Sequence, residues 1–360
     1  MKKHNLLLLI GALVLTGCGG SKKGDSQSAD SEFISEDSIT SETTPTSEEE
    51  QKAYTRVDDM VYFGSYPQSK VADEELIASL NVKAGDLPTS TNTYAWEDYG
   101  YYYNGNVESY MFYIDIDNNN DGANDYRGVY FTKYRGQSTT AKPTEAGGDT
   151  YQDDNGYSLN TVYWFKYETI SWHVIYEKDG KAQLFSEYVL DAQEFYHDST
   201  SEEEFEHNGG TGYANNYELS DLRKYLNGSF YKGAFDPEER TIIQTTTVEN
   251  SKRTTSSTGE PYVCADTEDK VYAHAFWEPN YSSGELRSST VVGKPTDYSL
   301  CQGLQYMDVS GFVGVSWFSR SPFNNAKQCF KQLPKDVDMG GAYVSGIYDA
   351  GVRPGLWIEL

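Results

Sequence analysis

Histidine and cysteine are scarce in this 360-residue sequence, at 5 and 4 residues. That leaves little material for a soft-metal site or a thiol nucleophile. Basic side chains are outnumbered too: 29 Lys and Arg face 55 Asp and Glu, a formal net charge of -26. Such an excess of carboxylates repels phosphate backbones and anionic head groups, which argues against nucleic acid as a partner. No G-x-S-x-G, P-loop or dinucleotide-binding glycine pattern occurs. The apolar run Leu6 to Leu15 is about half of the roughly 20 residues that a membrane-crossing helix needs. What is abundant is tyrosine, with 31 residues, and a hydrophobic fraction of 38% that can fill a real core. The length allows one large domain or two small ones.

The first residues combine Lys2 and Lys3, the short apolar run and the small residues Thr16 and Gly17 before Cys18. A basic start, a short apolar stretch and a small-residue cleavage point make a secretory signal over residues 1–17. Leu15-Thr16-Gly17-Cys18 resembles the bacterial lipoprotein box, which implies cleavage before Cys18 and lipidation of its sulfur. Removing Lys2 and Lys3 takes the charge from -26 to -26 - 2 = -28. A second acyl chain, such as palmitate, on the new N-terminus would complete a lasting membrane anchor. Residues 18–53 are rich in Ser, Thr and acids with few apolar side chains, the composition of a disordered tether. The protein is thus expected outside the cytoplasm, lipid-anchored to the cell membrane, touching the membrane only through its anchor.

Residues 54–360 read as a single α+β domain, rich in strands. Val61 to Pro67 reads as a first strand stopped by the proline. Asp73 to Leu80 has the look of a short helix, and Tyr110–Ile116 and Tyr126–Tyr134 are strand-like. Ile170, Trp172, Val174 and Tyr176 alternate along another strand, and Lys178-Asp179-Gly180-Lys181 then predicts a tight hairpin, because Asp-Gly tolerates positive φ at both central positions. Ser220 is a suitable N-cap for a helix over Asp221–Phe230. Asp236-Pro237-Glu238-Glu239 opens a second helix with a cap, a proline at its first position and acids in its first turn.

Several segments resemble an uncharacterised bacterial domain-of-unknown-function family. Tyr62-Phe63-Gly64-Ser65-Tyr66-Pro67-Gln68 is similar to its FGxYPQ opening, and Tyr163–Glu168 with Ile170-Ser171-Trp172 to its YWFKYEPIxW segment. Leu222–Asn227 with Phe230-Tyr231 resembles LRxWLNxxFY. Trp317-Phe318-Ser319-Arg320-Ser321-Pro322 resembles WWLRSP, and Gly351-Val352-Arg353-Pro354 resembles GVRPAL. At a further remove, the family's ending is similar to C-type-lectin-like folds of the formylglycine-generating-enzyme group and of retroelement variable proteins. That resemblance implies a C-type-lectin-like domain with two central helices, pairing of the strand at 61–66 with 356–360, and residues 70–158 as a Tyr/Asn-rich insertion. The enzymes of that group hold copper with two nearby late cysteines, whereas Cys301 and Cys329 lie far apart, so their oxidase activity is not carried over.

Asp117, Asn119, Asp121 and Asp125, with Gly122, fit the first half of a calcium loop, in which alternate oxygens reach one hard cation. The Glu expected at the twelfth position is missing, with Gly128 in its place, and a solvated Asn/Asp hairpin loop explains the same residues. Glu278-Pro279-Asn280 spells the tripeptide of mannose-type lectins, but the Trp-Asn-Asp partner is absent, and it reads as coincidence. Two of Cys264, Cys301 and Cys329 can pair outside the cytosol, leaving one over. Trp172, Trp317, Arg320, Pro322, Arg353 and Pro354 read as structural motif residues, each guanidinium satisfying backbone carbonyls at a loop crossing. The tyrosines carry the functional hint, since Tyr offers large amphipathic contact area at low entropic cost. Tyr94–Tyr113 and the loops between Pro322 and Gly351 are the expected presenters.

The expected function is a surface-anchored, non-catalytic module binding glycan or protein, with no cofactor beyond a structural calcium. The alternatives are an enzyme acting on envelope carbohydrate, and a structural or assembly lipoprotein without a small ligand.

Overall fold

Asp179 and Gly180 take φ of 52° and 73°, and they close a hairpin in which Lys178 faces Lys181. The hairpin joins the long strand Tyr163–Lys178 to Lys181–Ser186, the axis of a nine-stranded sheet. The computed structural model describes residues 53–89, 91–103, 106–135, 152–197, 204–207, 209–276, 293–309, 312–332, 339–345 and 350–360. The expected signal peptide, Cys18, the expected tether up to residue 52 and Glu278-Pro279-Asn280 lie outside them.

The sheet is antiparallel, and the long strand organises it. Along one edge lies Met60–Lys70, with Val61 opposite Trp172 and Lys70 opposite Phe165. The other edge is shared. Tyr126–Phe131 pairs with its first residues and Lys181–Ser186 with its last. From there the sheet extends one way through Met111–Ile116 to Glu97–Asp98, and the other way through Pro354–Glu359 to Val271–Ala273. Residues 70–158 therefore contribute strands to the central sheet. The mostly-β, α+β class holds.

Two expected features are corrected. The opening strand runs through Pro67 to Lys70 instead of stopping there. Its register against the long strand shifts between Pro67 and Lys70, and at such an irregularity a residue without an N–H is tolerated. The strand at 61–66 also does not pair with 356–360. Its partner is the long strand, while Pro354–Glu359 lies between Lys181–Ser186 and Val271–Ala273. Local pattern identifies a strand, but its partner is chosen by packing distant in sequence.

Alternation along Met111–Ile116 separates two chemistries. Phe112 and Ile114 face one way, against Trp164 and the helix Glu74–Ala84, in a small core with Leu80 and Ala84. Tyr113 and Asp115 face the other way. Gly128 lies opposite Trp164, and a Cβ there would come within 2.9 Å of the indole.

The larger core lies beyond the opposite face. A helix starts at Asp221–Tyr225, capped by Ser220 Oγ accepting from the Arg223 amide, passes through a π turn at Leu226–Phe230 and ends in Tyr231–Ala234. It buries Leu222, Leu226, Phe230 and Ala234. Asp236 Oδ1 accepts from the amides of Glu238 and Glu239, opening the short helix Glu239–Ile242. The helix Asp297–Cys301 begins with a reciprocal cap between Thr296 and Ser299. Among the described residues no helix is long and apolar enough to cross a membrane.

Candidate functional site

Three sequence motifs each send one tyrosine to a single place. Tyr66 of the opening strand, Tyr167 of the long strand and Tyr225 of the capped helix line a cleft of about 410 Å³, joined by Tyr99, Tyr113 and Tyr298. The FGxYPQ-like segment is built for this. Gly64 takes φ of 71° at a register shift, and a Cβ there would meet the Phe235 ring at 2.6 Å. Its amide donates to Glu239 Oε1, and Gln68 Nε2 donates to the carbonyls of Glu168 and Thr169. Tyr66, between these anchors, packs its ring on Phe230 and edge-on to Tyr298.

The inner end of the cleft is organised by Asp191, which is 1% exposed. Its Oδ2 accepts from the hydroxyls of Tyr66 at 2.6 Å and Tyr225 at 2.7 Å and from Gln193 Nε2 at 3.1 Å; its Oδ1 accepts from the Ala192 amide. The closing motif holds this residue in place. The Val352 amide donates to the Asp191 carbonyl and the Leu190 amide to the Val352 carbonyl. Gly351 permits that approach, because a Cβ there would lie 2.4 Å from Val189 and 2.9 Å from the Asp191 carbonyl oxygen. Burial, reinforced by the Asp191 carboxylate, pushes the hydroxyls of Tyr66 and Tyr225 well above the ordinary phenol range, so both remain protonated donors. Burial does the same to Tyr298, helped by Tyr99 and Asp191.

The sheet side of the cleft carries Arg127. Asp115 stands directly across from it and takes a two-pronged ion pair, Nε to Oδ1 at 2.7 Å and Nη2 to Oδ2 at 2.6 Å. The guanidinium lies 4.4 Å from the Tyr113 ring centroid, with Tyr167 and Tyr298 within 6 Å. Nη1 donates to the Tyr298 hydroxyl at 3.3 Å. Tyr298 in turn contacts the Tyr99 hydroxyl, which accepts from Gln302 Nε2. The helix forms the third wall with Tyr225, Ser229 and Gly233. These positions are four residues apart, along a helix that includes the π turn.

The residues singled out in the sequence fall elsewhere. Asp117, Asn119, Asp121 and Asp125 share one loop. Asp117 Oδ1 accepts from the Asn120 and Asp121 amides and Oδ2 from that of Gly122; Asp125 Oδ2 accepts from the Asn118 and Asn119 amides. Asp121 accepts from the Asn119 side chain and the Ala123 amide. Arg320 is buried and donates to the carbonyls of Ala273 and Glu249. Arg353 is buried over Phe185 and Trp317 and donates to the carbonyls of Ser186 and Glu187. Trp172 Nε1 donates to the Phe63 carbonyl. The Pro322 carbonyl accepts from Thr255, and Pro354 pairs with Ala273. Cys264, Cys301 and Cys329, of which two could have paired, are all free thiols. Burial pushes the Cys264 thiol up to about 11. Of the expected tyrosine presenters, Tyr99 and Tyr113 reach the cleft. Asp191 and Arg127 were not foreseen, since neither stands in a motif; the recurrence of a tyrosine in three separated motifs was the available signal.

Residues 179–360 match the family described as Domain of unknown function (DUF6273), just over half of the chain. The chain belongs to this family. No curated protein matches it, and no solved structure matches it. The DUF6273 segment contains Asp191, Gln193, Tyr225, Tyr298 and the closing motif, while Tyr66, Tyr113, Arg127 and Tyr167 come from the preceding strands.

Proposed function

We propose that this DUF6273 protein is a lipid-anchored, non-catalytic binding protein of the bacterial surface that holds a glycan in the tyrosine cleft. One observation carries the reading: six tyrosines surround Asp191 and Arg127 in a concavity of about 410 Å³, within the size range of small-ligand sites. The ring faces that would box a cationic ligand already hold Arg127, so a cation meets like charge. Asp115 is engaged by Arg127, and Asp191 already accepts from four donors. That engagement favours an orienting role over acid–base work. Aromatic faces, phenolic hydroxyls and one guanidinium edge suit the C–H faces and hydroxyls of a sugar.

Attachment through Cys18, an extracytoplasmic position and a C-type-lectin-like plan belong to the same proposal, with the last strand seated beside Lys181–Ser186. A calcium ion at Asp117, Asn119, Asp121 and Asp125 would have a structural part; among the described residues no three His, Cys, Asp or Glu side chains converge on a metal position, and the loop's carboxylates accept backbone amides instead. The test is binding of the full-length protein to an immobilised glycan array, with calcium and with EDTA, alongside thermal melts. Array binding is expected. Loss of binding and of melting temperature in EDTA would bring the calcium loop into the site. Absence of binding to any glycan sinks the reading and moves weight to a protein partner.

A further inference from the structure

Beside the cleft runs a larger, more open groove of about 860 Å³, between the opening strand and the segment Lys232–Arg240. Cleft and groove share three lining residues, Tyr167, Lys232 and Gly233. The junction is open, because a Cβ placed on Gly233 would find no atom within 4 Å. Two separate small ligands would contend for the shared wall, whereas one ligand crossing it uses both spaces.

The groove repeats the chemistry of the cleft. It offers the tyrosines Tyr54 and Tyr62 with the exposed Thr169 and Asn124. Its charges balance, Lys232 and Arg240 against Asp236 and Glu239. Both acids already accept backbone amides: Asp236 from Glu238 and Glu239, and Glu239 from Gly64 and Asp236. A neutral ligand loses no charge pairing here. Resting on the glycan reading of the cleft, we propose that the ligand is a neutral linear glycan, with one unit in the cleft and further units passing over Tyr167 and Gly233 into the groove. The protein then recognises a chain rather than a single terminal sugar.

The experiment is calorimetric titration of the full-length protein with glucose, mannose and N-acetylglucosamine oligomers of one to six units. In the series that binds, four units are expected to bind at least about tenfold tighter than one, the gain from one further aromatic contact. The variant Thr169→Trp fills the groove from an exposed strand position, and its four-unit affinity is expected to fall to that of one unit on the wild type. Equal affinity for one and four units, or a length gain that survives Thr169→Trp, overturns the extended site while leaving the cleft reading intact. Failure of every saccharide to bind overturns both.

Discussion

Arg353 and Arg127 both lay a guanidinium on aromatic rings, yet the surroundings give them different work. Arg353 is 2% exposed, held over Phe185 and Trp317, and donates to the carbonyls of Ser186 and Glu187. Its bonds tie the closing motif to the end of the hairpin strand. Arg127 is clamped on one side by Asp115 and reaches Tyr298 on the other through a longer contact, its side chain 14% exposed at the wall of a cleft. The same group is a tie where its donors end on buried carbonyls. Where one edge opens on a cavity, its proposed role is recognition.

The contrast is sharpest in stability. Arg353→Ala removes two charge-assisted bonds and strands their acceptors, an expected loss of about 3–6 kcal/mol in denaturant unfolding. Arg127→Ala, at a largely buried pair whose Asp115 keeps some access to water from the cleft, is expected to cost less, about 1.5–3 kcal/mol, while abolishing glycan binding. Equal costs would erase the distinction. Between these lies Asp191→Asn, which keeps the shape but weakens the acceptor of two phenols. It is expected to cost about 1–3 kcal/mol and to weaken binding.

A smaller effect is read by pH on the Arg353 side. Glu187, whose carbonyl accepts from Arg353, has its carboxyl lowered to about 2 by its hydrogen bond to His173 and by Lys294. A depressed carboxyl stabilises the fold above its ordinary 4.5, and that contribution is lost as pH falls toward 2. Glu187→Gln is therefore expected to flatten the melting temperature between those limits. A slope unchanged in the variant would mean that other carboxylates dominate acid unfolding.

Local chemistry made part of this legible. Asp179-Gly180 announced its turn, and Ser220 and Asp236 announced their helices, because a cap or a positive φ is set by neighbouring residues. The passage of a strand through Pro67 was hidden, since it depends on a register shift against Tyr163–Lys178. The partner of the last strand was hidden for the same kind of reason. The cleft was half visible. Tyr66, Tyr167 and Tyr225 stood in motifs, but Asp191 matters only once Val352 and Gly351 fix it beside them, and Arg127 only once a cross-strand neighbour at position 115 is known.

The most direct measurement is the glycan-array profile of Gly233→Trp beside the wild type, with melting curves on both. Position 233 lines the cleft from a helix and opens on empty space. Replacing a helical glycine also recovers part of the penalty of about 0.5–1 kcal/mol that glycine carries relative to alanine. An unchanged or slightly raised melting temperature is expected, with loss of every glycan signal the wild type shows. A folded variant that keeps those signals would contradict the cleft reading, placing the ligand elsewhere on the molecule.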